Sequence, residues 1–267
     1  MLTLCNAKIN IGLNITEKRH DGFHNIESIF YPININDSLE IIESKKTSFT
    51  SYGIDIPGNN DDNLCLKAYN LINQHFNLPS VKIILQKNIP IGAGLGGGSS
   101  DAANTIKLLN DKFKLNLSDE TMIEYARQLG SDCAFFIKNR PIYAHSKGDV
   151  FEDIRFSLSD YKILLVYPNL HINTKEAYSL VKPQKPEHSI REIVKKPVSE
   201  WKDFLFNDFE KPLLEKYKNL KEIKELMYRN GAIYASMTGS GSAIYGIFNE
   251  FPDDISSFEN NSVCFKI

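Results

Sequence analysis

Cysteine is scarce in this 267-residue chain, and the four that occur (Cys5, Cys65, Cys133 and Cys264) stand far apart. They form no CxxC pair, which argues against a structural zinc site, and so few in so long a chain do not suit a disulfide framework. Reduced thiols in a cytoplasmic protein are the simplest expectation. Long hydrophobic runs are missing too. A spanning helix needs ~20 apolar residues, and the strongest apolar run, around Ile163–Tyr167, is far shorter, so no membrane partner is expected. The opening segment MLTLCNAKINIGLNIT lacks the basic, apolar and small-residue regions of a signal peptide. There is no surplus of positive charge: 31 Lys and Arg face 33 Asp and Glu, for a formal net charge of −2. A dedicated nucleic-acid binder usually carries a basic excess, so nucleic acid is not an expected partner. Nor is the chain glycine-rich; its 15 glycines fall slightly below the average usage of about 7%.

What is present is enough apolar material for a core, at 42% hydrophobic residues. At about 100–200 residues per domain, one large domain or two small ones are expected. Ile9, Ile11, Leu13 and Ile15 fall on one parity and Lys8, Asn10, Gly12 and Asn14 on the other. That period of two predicts a strand with one buried face, and Lys8 and Asn10 then point the same way. Strands are also expected at 39–43 and 81–85. Asp61, Asp62 and Asn63 supply N-cap chemistry for a helix carrying Leu64, Ala68, Leu71 and Ile72. Further helices are expected from about Ser100 to Asn110, and from Ser118 to a stop at Gly130. Ala134-Phe135-Phe136 reads as a strand. Past Gly148 the texture changes: YKILLVYP reads as a buried strand, and 182–200, rich in Pro and Lys, as a linker or surface excursion. A helix is expected over 212–228, strands at 232–236 and 242–248 around a glycine turn, and a last strand at 263–267. Short strands with segregated helices indicate α+β organisation, with two lobes at 1–150 and 151–267.

The most informative stretch is PIGAGLGGGSSDAA, from Pro90 to Ala103. Five of the glycines lie within Gly92–Gly98, directly before Ser99, Ser100 and a helix. Without Cβ atoms, backbone N–H groups can approach a ligand closely. The helix N-terminus adds unpaired N–H groups and partial positive charge, so the segment suits a phosphate. No lysine follows the glycines, which excludes a Walker A loop. Gly92-Ala93-Gly94-Leu95-Gly96-Gly97 satisfies GxGxxG, but Asn88-Ile89-Pro90 separates it from the preceding strand, and Asp119 lies at a helix start, so the dinucleotide context is wrong. A flexible Gly/Ser connector is the bland alternative. A second turn, SMTGSGSAIYGIF, reads either as a plain hairpin or as a second backbone clamp on a ligand. Taken alone, Lys8 reads as a solvated strand lysine, Asp132 as a surface turn or helix cap, His24 as a loop histidine, and Tyr178 as a helix-face core residue.

These residues together resemble the GHMP small-molecule kinases. The glycine loop resembles their phosphate loop. NAKINIGLNITEKRHDGFHNIESIF, DNL at 62–64, LGSDCAFF at 129–136, FND at 206–208 and TGSG at 238–241 follow in the order of one branch, whose substrate is a cytidine diphosphate-linked methylerythritol. The resemblance implies a two-lobed α+β kinase, its N-terminal domain like a ribosomal S5 second domain and its C-terminal domain ferredoxin-like. It implies ATP-dependent phosphorylation of that substrate's 2-hydroxyl, giving the 2-phosphate and ADP in non-mevalonate isoprenoid precursor synthesis, by a monomer or homodimer. ATP and Mg²⁺ are the implied cofactors.

The resemblance places catalytic roles on Lys8 and Asp132. A carboxylate can accept the hydroxyl proton, and a fixed cation can lower the pKa of that hydroxyl and offset charge on the transferring group. ATP would be held by Asn63 and by Pro90, Ile91, Gly92, Ala93, Gly94, Leu95, Gly96, Gly97, Gly98, Ser99 and Ser100. The two serines would ligate Mg²⁺ or bond phosphate oxygens, or simply cap the helix. Asp101 reads as a cap, and no acidic metal ligand is assigned. Phe23 would stack on cytosine and His24 bond its edge, with Tyr178 the opposing aromatic, Thr174 on diphosphate or ribose, and Asn10 on the methylerythritol hydroxyls. Two positions depart from the branch pattern: Phe23 stands where tyrosine is usual, and Cys133-Ala134 where proline often follows the aspartate. Another GHMP kinase, acting on homoserine or mevalonate, a silent nucleotide-binding protein and a nicotinamide oxidoreductase are the competing readings.

Overall fold

The computed structural model describes residues 1–259 and 262–267. The chain forms two compact units built from non-contiguous segments. Met1–Lys8, Pro32–Ile91 and Gly96–Arg140 make the first; Ile9–Tyr31, Gly92–Leu95 and Pro141–Ile267 make the second. The expected lobes at 1–150 and 151–267 divide the chain by sequence, whereas these units divide it by packing. Two long strands, β1 (Leu2–Lys18) and β2 (His24–Glu43), contribute to both units.

In the first unit, β4 (Val81–Lys87) lies between β3 (Ser48–Gly53), which it pairs in parallel, and the far half of β2, which it pairs antiparallel with Leu39 opposite Leu85 and Ile41 opposite Ile83. The helices are α1 (Leu64–Phe76), α2 (Gly97–Phe113), α3 (Asp119–Leu129) and α4 (Phe135–Lys138). Asn63 caps α1, its side chain accepting from Cys65 N–H at 2.9 Å, and Leu66, Ala68, Tyr69 and Ile72 form the buried stripe. Helix α2 starts at Gly97, three residues earlier than expected, with Gly96 as its cap. Residues 100–106 are all buried, because α2 packs against α1, α3 and α4; a helix enclosed on all sides is buried around its circumference. Ser118 opens α3 by accepting from Thr121 N–H.

In the second unit, the near half of β2 pairs with β5 (Ile142–Ser146), and β5 with β6 (Val150–Asp153). Then come β7 (Lys162–Tyr167), α5 (Thr174–Leu180), α6 (Ile190–Ile193), α7 (Glu210–Lys216), α8 (Lys218–Arg229), β8 (Tyr234–Met237), β9 (Ile244–Phe248) and β10 (Val263–Lys266). These strands form an antiparallel sheet in the order β10-β7-β9-β8, with α8 against β8 and β9. Leu164, Val166, Phe209, Leu213, Leu220, Met227 and Ile244 belong to its core.

Four expectations are corrected. β1 alternates in sequence but not in burial: residues 7–13 are buried on both parities, Lys8 and Asn10 included. Ala134–Phe136 is not a strand; Phe135 opens the short α4, ended by Asn139 in the left-handed conformation, and its ring meets that of Phe136 edge-on at 4.9 Å. Residues 182–200 are not a surface excursion alone. Ile190, Ile193, Val194 and Val198 are buried, as is Trp201 just beyond, which donates to Lys196 O at 3.1 Å. The helix expected over 212–228 is two, because Tyr217 is extended between α7 and α8 and its hydroxyl bonds Glu176 at 2.8 Å.

Candidate active site

In the first unit, Lys8 Nζ lies 3.3 Å from Asp132 Oδ2. The lysine side chain is 4% exposed and the aspartate 33%. Lys8 is buried because both faces of β1 are covered there. Asp132 stands in the turn between α3 and α4, held by Cys133 N–H donating to Gly130 O at 3.2 Å. The pair therefore has one enclosed partner and one open to solvent. Burial pushes the neighbouring Cys133 thiol up to about 12, against the pull of a hydrogen bond with Ser99. At Gly96, φ is +70° and an added Cβ would lie 3.1 Å from the Phe136 ring and 3.3 Å from Lys8 Cε. Only a residue without Cβ lets the start of α2 come this close to the lysine stem. Ser100 is buried and accepts from Asn104 Nδ2 at 3.3 Å.

Asp101 is not the cap expected of it. It is the fifth residue of α2, buried, and bonded to Lys87. Asn63 Oδ1 is occupied by capping α1.

In the second unit, the other part of the glycine loop meets the second glycine turn. Gly94 has φ +79°, and a Cβ there would sit 2.1 Å from Thr238 O. Thr238 Oγ1 donates to Gly94 O at 3.2 Å and accepts from Asn10 N–H at 3.0 Å. Asn10 Nδ2 donates to Ser28 Oγ (2.8 Å), which donates to Gly12 O (2.6 Å). The FND segment holds this turn from behind: Asn207 Nδ2 donates to Met237 O and Gly239 O, at 2.8 and 2.9 Å. Gly92 is covered by His171, whose Nδ1 would lie 2.1 Å from a Cβ.

The DGFH turn is set by Asp21, which accepts from Phe23 N–H and from Arg19, each at 3.1 Å. Phe23 is 55% exposed, with Lys147 Nζ 5.2 Å from its ring centroid. The His24 ring stacks on Tyr178 at 4.7 Å and 21°, and burial, with Lys18 adding, lowers its pKa below the usual histidine value. Tyr178 faces His24, then, and it also meets Phe209 edge-on at 4.9 Å. Thr174 Oγ1 is 3.3 Å from Ser240 Oγ.

The structure brings Lys8, Asp132 and Gly96 together in one unit, and Asn10, Gly94 and Thr238 in the other. Thr238, Asn207, Lys87 and Asp37 were not among the expected site residues. TGSG and FND signalled the first two; a lysine beside the loop and an aspartate fifty positions earlier carry no such spacing.

A glycine-capped helix start beside a lysine–aspartate pair, on mixed α and β units, is an arrangement that suits phosphoryl transfer to a small molecule. The model of the GHMP kinases N terminal domain matches residues 63–140, and that of the GHMP kinases C terminal region matches 189–256. A 4-diphosphocytidyl-2-C-methyl-D-erythritol kinase of Bacteroides thetaiotaomicron is 50% identical over 273 residues, covering 100% of this chain and 99% of its own. One from Cytophaga hutchinsonii is 54% identical over 254 residues, covering 95% and 94%. A crystal structure of a 4-(cytidine 5'-diphospho)-2C-methyl-D-erythritol kinase aligns over 100% of this chain and 98% of its own, with TM-score 0.85 and 27% identity. The mevalonate kinase of Methanococcus jannaschii shares the fold, with TM-score 0.71 at 19% identity. The chain belongs to the GHMP kinases, in the family of the 4-diphosphocytidyl-2-C-methyl-D-erythritol kinases. It is an ATP-dependent kinase of mixed α and β fold, and among its described residues no helix is long and apolar enough to cross a membrane.

Proposed function

We infer that the chain transfers the γ-phosphoryl group of ATP to the 2-hydroxyl of 4-diphosphocytidyl-2-C-methyl-D-erythritol, a step of non-mevalonate isoprenoid precursor synthesis. The observation that carries this reading is the Lys8–Asp132 pair at the glycine-capped start of α2. Phosphoryl transfer needs positioning, neutralised oxygens and a group to take the hydroxyl proton. Asp132, the exposed member, accepts that proton as general base. Lys8, enclosed and 3.3 Å away, keeps the carboxylate oriented and offsets the charge developing on the transferred group. Backbone N–H groups of the glycine loop and the N-terminus of α2 hold the polyphosphate, with Ser99 and Ser100 beside them.

The residues suit a magnesium ion that arrives on ATP, not one caged by protein. Among the described residues no group of three His, Cys, Asp or Glu could hold a metal, and Asp101 is engaged by Lys87. Magnesium retains water and phosphate ligands and needs few from protein. The Ser99 hydroxyl is the oxygen that would be offered to it, Ser100 being fully buried and bonded to Asn104, and the ion would supply charge neutralisation on the phosphates.

On the second unit, Phe23 offers an open ring for cytosine and the neutral imidazole of His24, braced by Tyr178, bonds the base edge. Thr174 serves the diphosphate or ribose, Asn10 the methylerythritol hydroxyls, and Asn63 the nucleoside of ATP. The test is a panel of alcohols supplied with ATP and followed by ADP release. The cytidyl alcohol is expected to turn over, and mevalonate and homoserine are not. Turnover of mevalonate with none of the cytidyl compound would remove the assignment.

A further inference from the structure

Lys87 ends β4 immediately before the segment that enters the glycine loop, and its ammonium is buried between two carboxylates. It donates to Asp37 Oδ2 and, at 2.9 Å, to Asp101 Oδ2. The other oxygen of Asp37 accepts the N–H groups of Asn88 (2.6 Å) and Ile89 (2.8 Å). The other oxygen of Asp101 is buried with no hydrogen-bond partner among the described residues. A Cβ on Gly97, the first residue of α2, would lie 2.9 Å from Lys87 Nζ. The triad therefore sits beneath the first turns of the helix whose N-terminus the kinase reading offers to phosphate.

Asp101 is the difficulty in that arrangement. A carboxylate in the second turn of a phosphate-binding helix offsets the partial positive charge of that helix end and repels the incoming anion. Lys87 answers it by proximity. Burial pushes the Asp101 carboxyl up to about 7, while Lys87 pulls it down. Burial likewise works against the Lys87 ammonium, and Asp101 and Asp37 more than reverse this, leaving its pKa raised.

We propose that Lys87 is a positioning residue for ATP: it offsets the negative charge of Asp101 and Asp37 under the start of α2 and ties that turn to the end of β4, without touching the phosphates itself. This rests on the kinase reading above. It also explains how a phosphate loop with no lysine of its own can tolerate an aspartate directly after its serines.

The test measures ATP affinity by calorimetry without alcohol, then KM and kcat. Lys87→Met should weaken ATP about tenfold or more at pH 9 by leaving the two buried carboxylates without a counter-charge, and less at pH 6, where the Asp101 carboxyl, pushed up to about 7 even beside Lys87, holds a proton. The effect should fall on KM for ATP far more than on kcat, and the KM for the cytidyl alcohol should stay within about twofold. Adding Asp101→Asn to Lys87→Met should restore part of the ATP affinity, because the carboxylate carried by α2 is then gone while Asp37 keeps its two backbone N–H donors. A double variant as weak as the single one shows that Lys87 acts on the nucleotide directly, and overturns the proposal. If Lys87→Met does not fold, Asp101→Asn alone decides: ATP binding tightens about two- to threefold, since a repulsive charge is removed, and a fivefold weakening contradicts it. Failure of the unchanged chain to bind ATP sinks the kinase reading itself; binding of ATP with no transfer to the cytidyl alcohol leaves this inference standing and removes only the substrate.

Discussion

The first unit contains two buried lysines, and consecutive glycines at the start of α2 face them. Gly96 abuts the stem of Lys8 and Gly97 the ammonium of Lys87. Their partners differ. Lys8 meets one carboxylate that is a third exposed, at 3.3 Å. Lys87 meets two that are both enclosed, and one of these also holds two backbone N–H groups. The open pair has a carboxylate that a substrate can reach, so it can do chemistry. The closed triad has no face left for a ligand, so its influence is confined to geometry and local charge. On the proposed mechanism, the same residue types, each beside one of two consecutive glycines, take different roles because of their burial.

The sharpest way to break this comparison is to neutralise the open carboxylate. Asp132→Asn should lower kcat by about 100- to 10,000-fold, the usual worth of a general base. ATP affinity should change by less than about threefold, because the lost group acts only in the transition state. Near-normal kcat would take Asp132 out of the mechanism. Lys87→Met should behave in the opposite sense, costing ~3–5 kcal/mol of stability, as breaking one side of a buried ion pair does. Urea unfolding monitored by circular dichroism checks this, and an unchanged midpoint would mean that the triad is not what holds β4 to α2. Phe23→Ala should raise KM for the cytidyl alcohol roughly 5- to 150-fold, the equivalent of ~1–3 kcal/mol of base stacking, and leave the KM for ATP alone. Phe23→Tyr should retain stacking. Equal losses in both variants would show that the ring does not stack. The smallest effect concerns the turn that carries Asp132. Cys133 is buried with its thiol pushed up to about 12, so iodoacetamide at pH 8 should leave it unmodified until the chain unfolds. Rapid native alkylation at Cys133 would mean that this turn opens.

Much of this was legible in the residues. Asn63 and Ser118 announced their helices by capping chemistry, and β4 and the last five residues of β2 were expected as strand, whereas residues 24–38 of β2 were not. The glycine loop stood out by its density of residues without Cβ atoms, which is what the proposed phosphate cradle requires. What was illegible depended on partners distant in the chain. The alternation of Lys8 and Asn10 suggested a polar face, but the fold covers that face too, and burial is not a local property. Asp101 looked like a helix cap, since a carboxylate beside a phosphate site is repulsive unless it caps, turns away or faces a metal; its true partner, Lys87, is reached only because the end of β4 lies beside the first turns of α2. Pro and Lys in 182–200 masked a buried set of Ile190, Ile193, Val194 and Val198, because composition averages over exposed and enclosed positions. The turn clamp joins Thr238 to Asn10 across 228 positions and to Gly94 across 144, beyond any spacing rule.

The most direct measurement of the central claim is a single turnover with ATP labelled in its γ-phosphate, excess enzyme and 4-diphosphocytidyl-2-C-methyl-D-erythritol. Label is expected on the 2-hydroxyl of the alcohol with the unchanged chain, and almost none over the same time with Asp132→Asn although ATP still binds. Label on another hydroxyl, on water alone, or equally fast transfer by Asp132→Asn would contradict it.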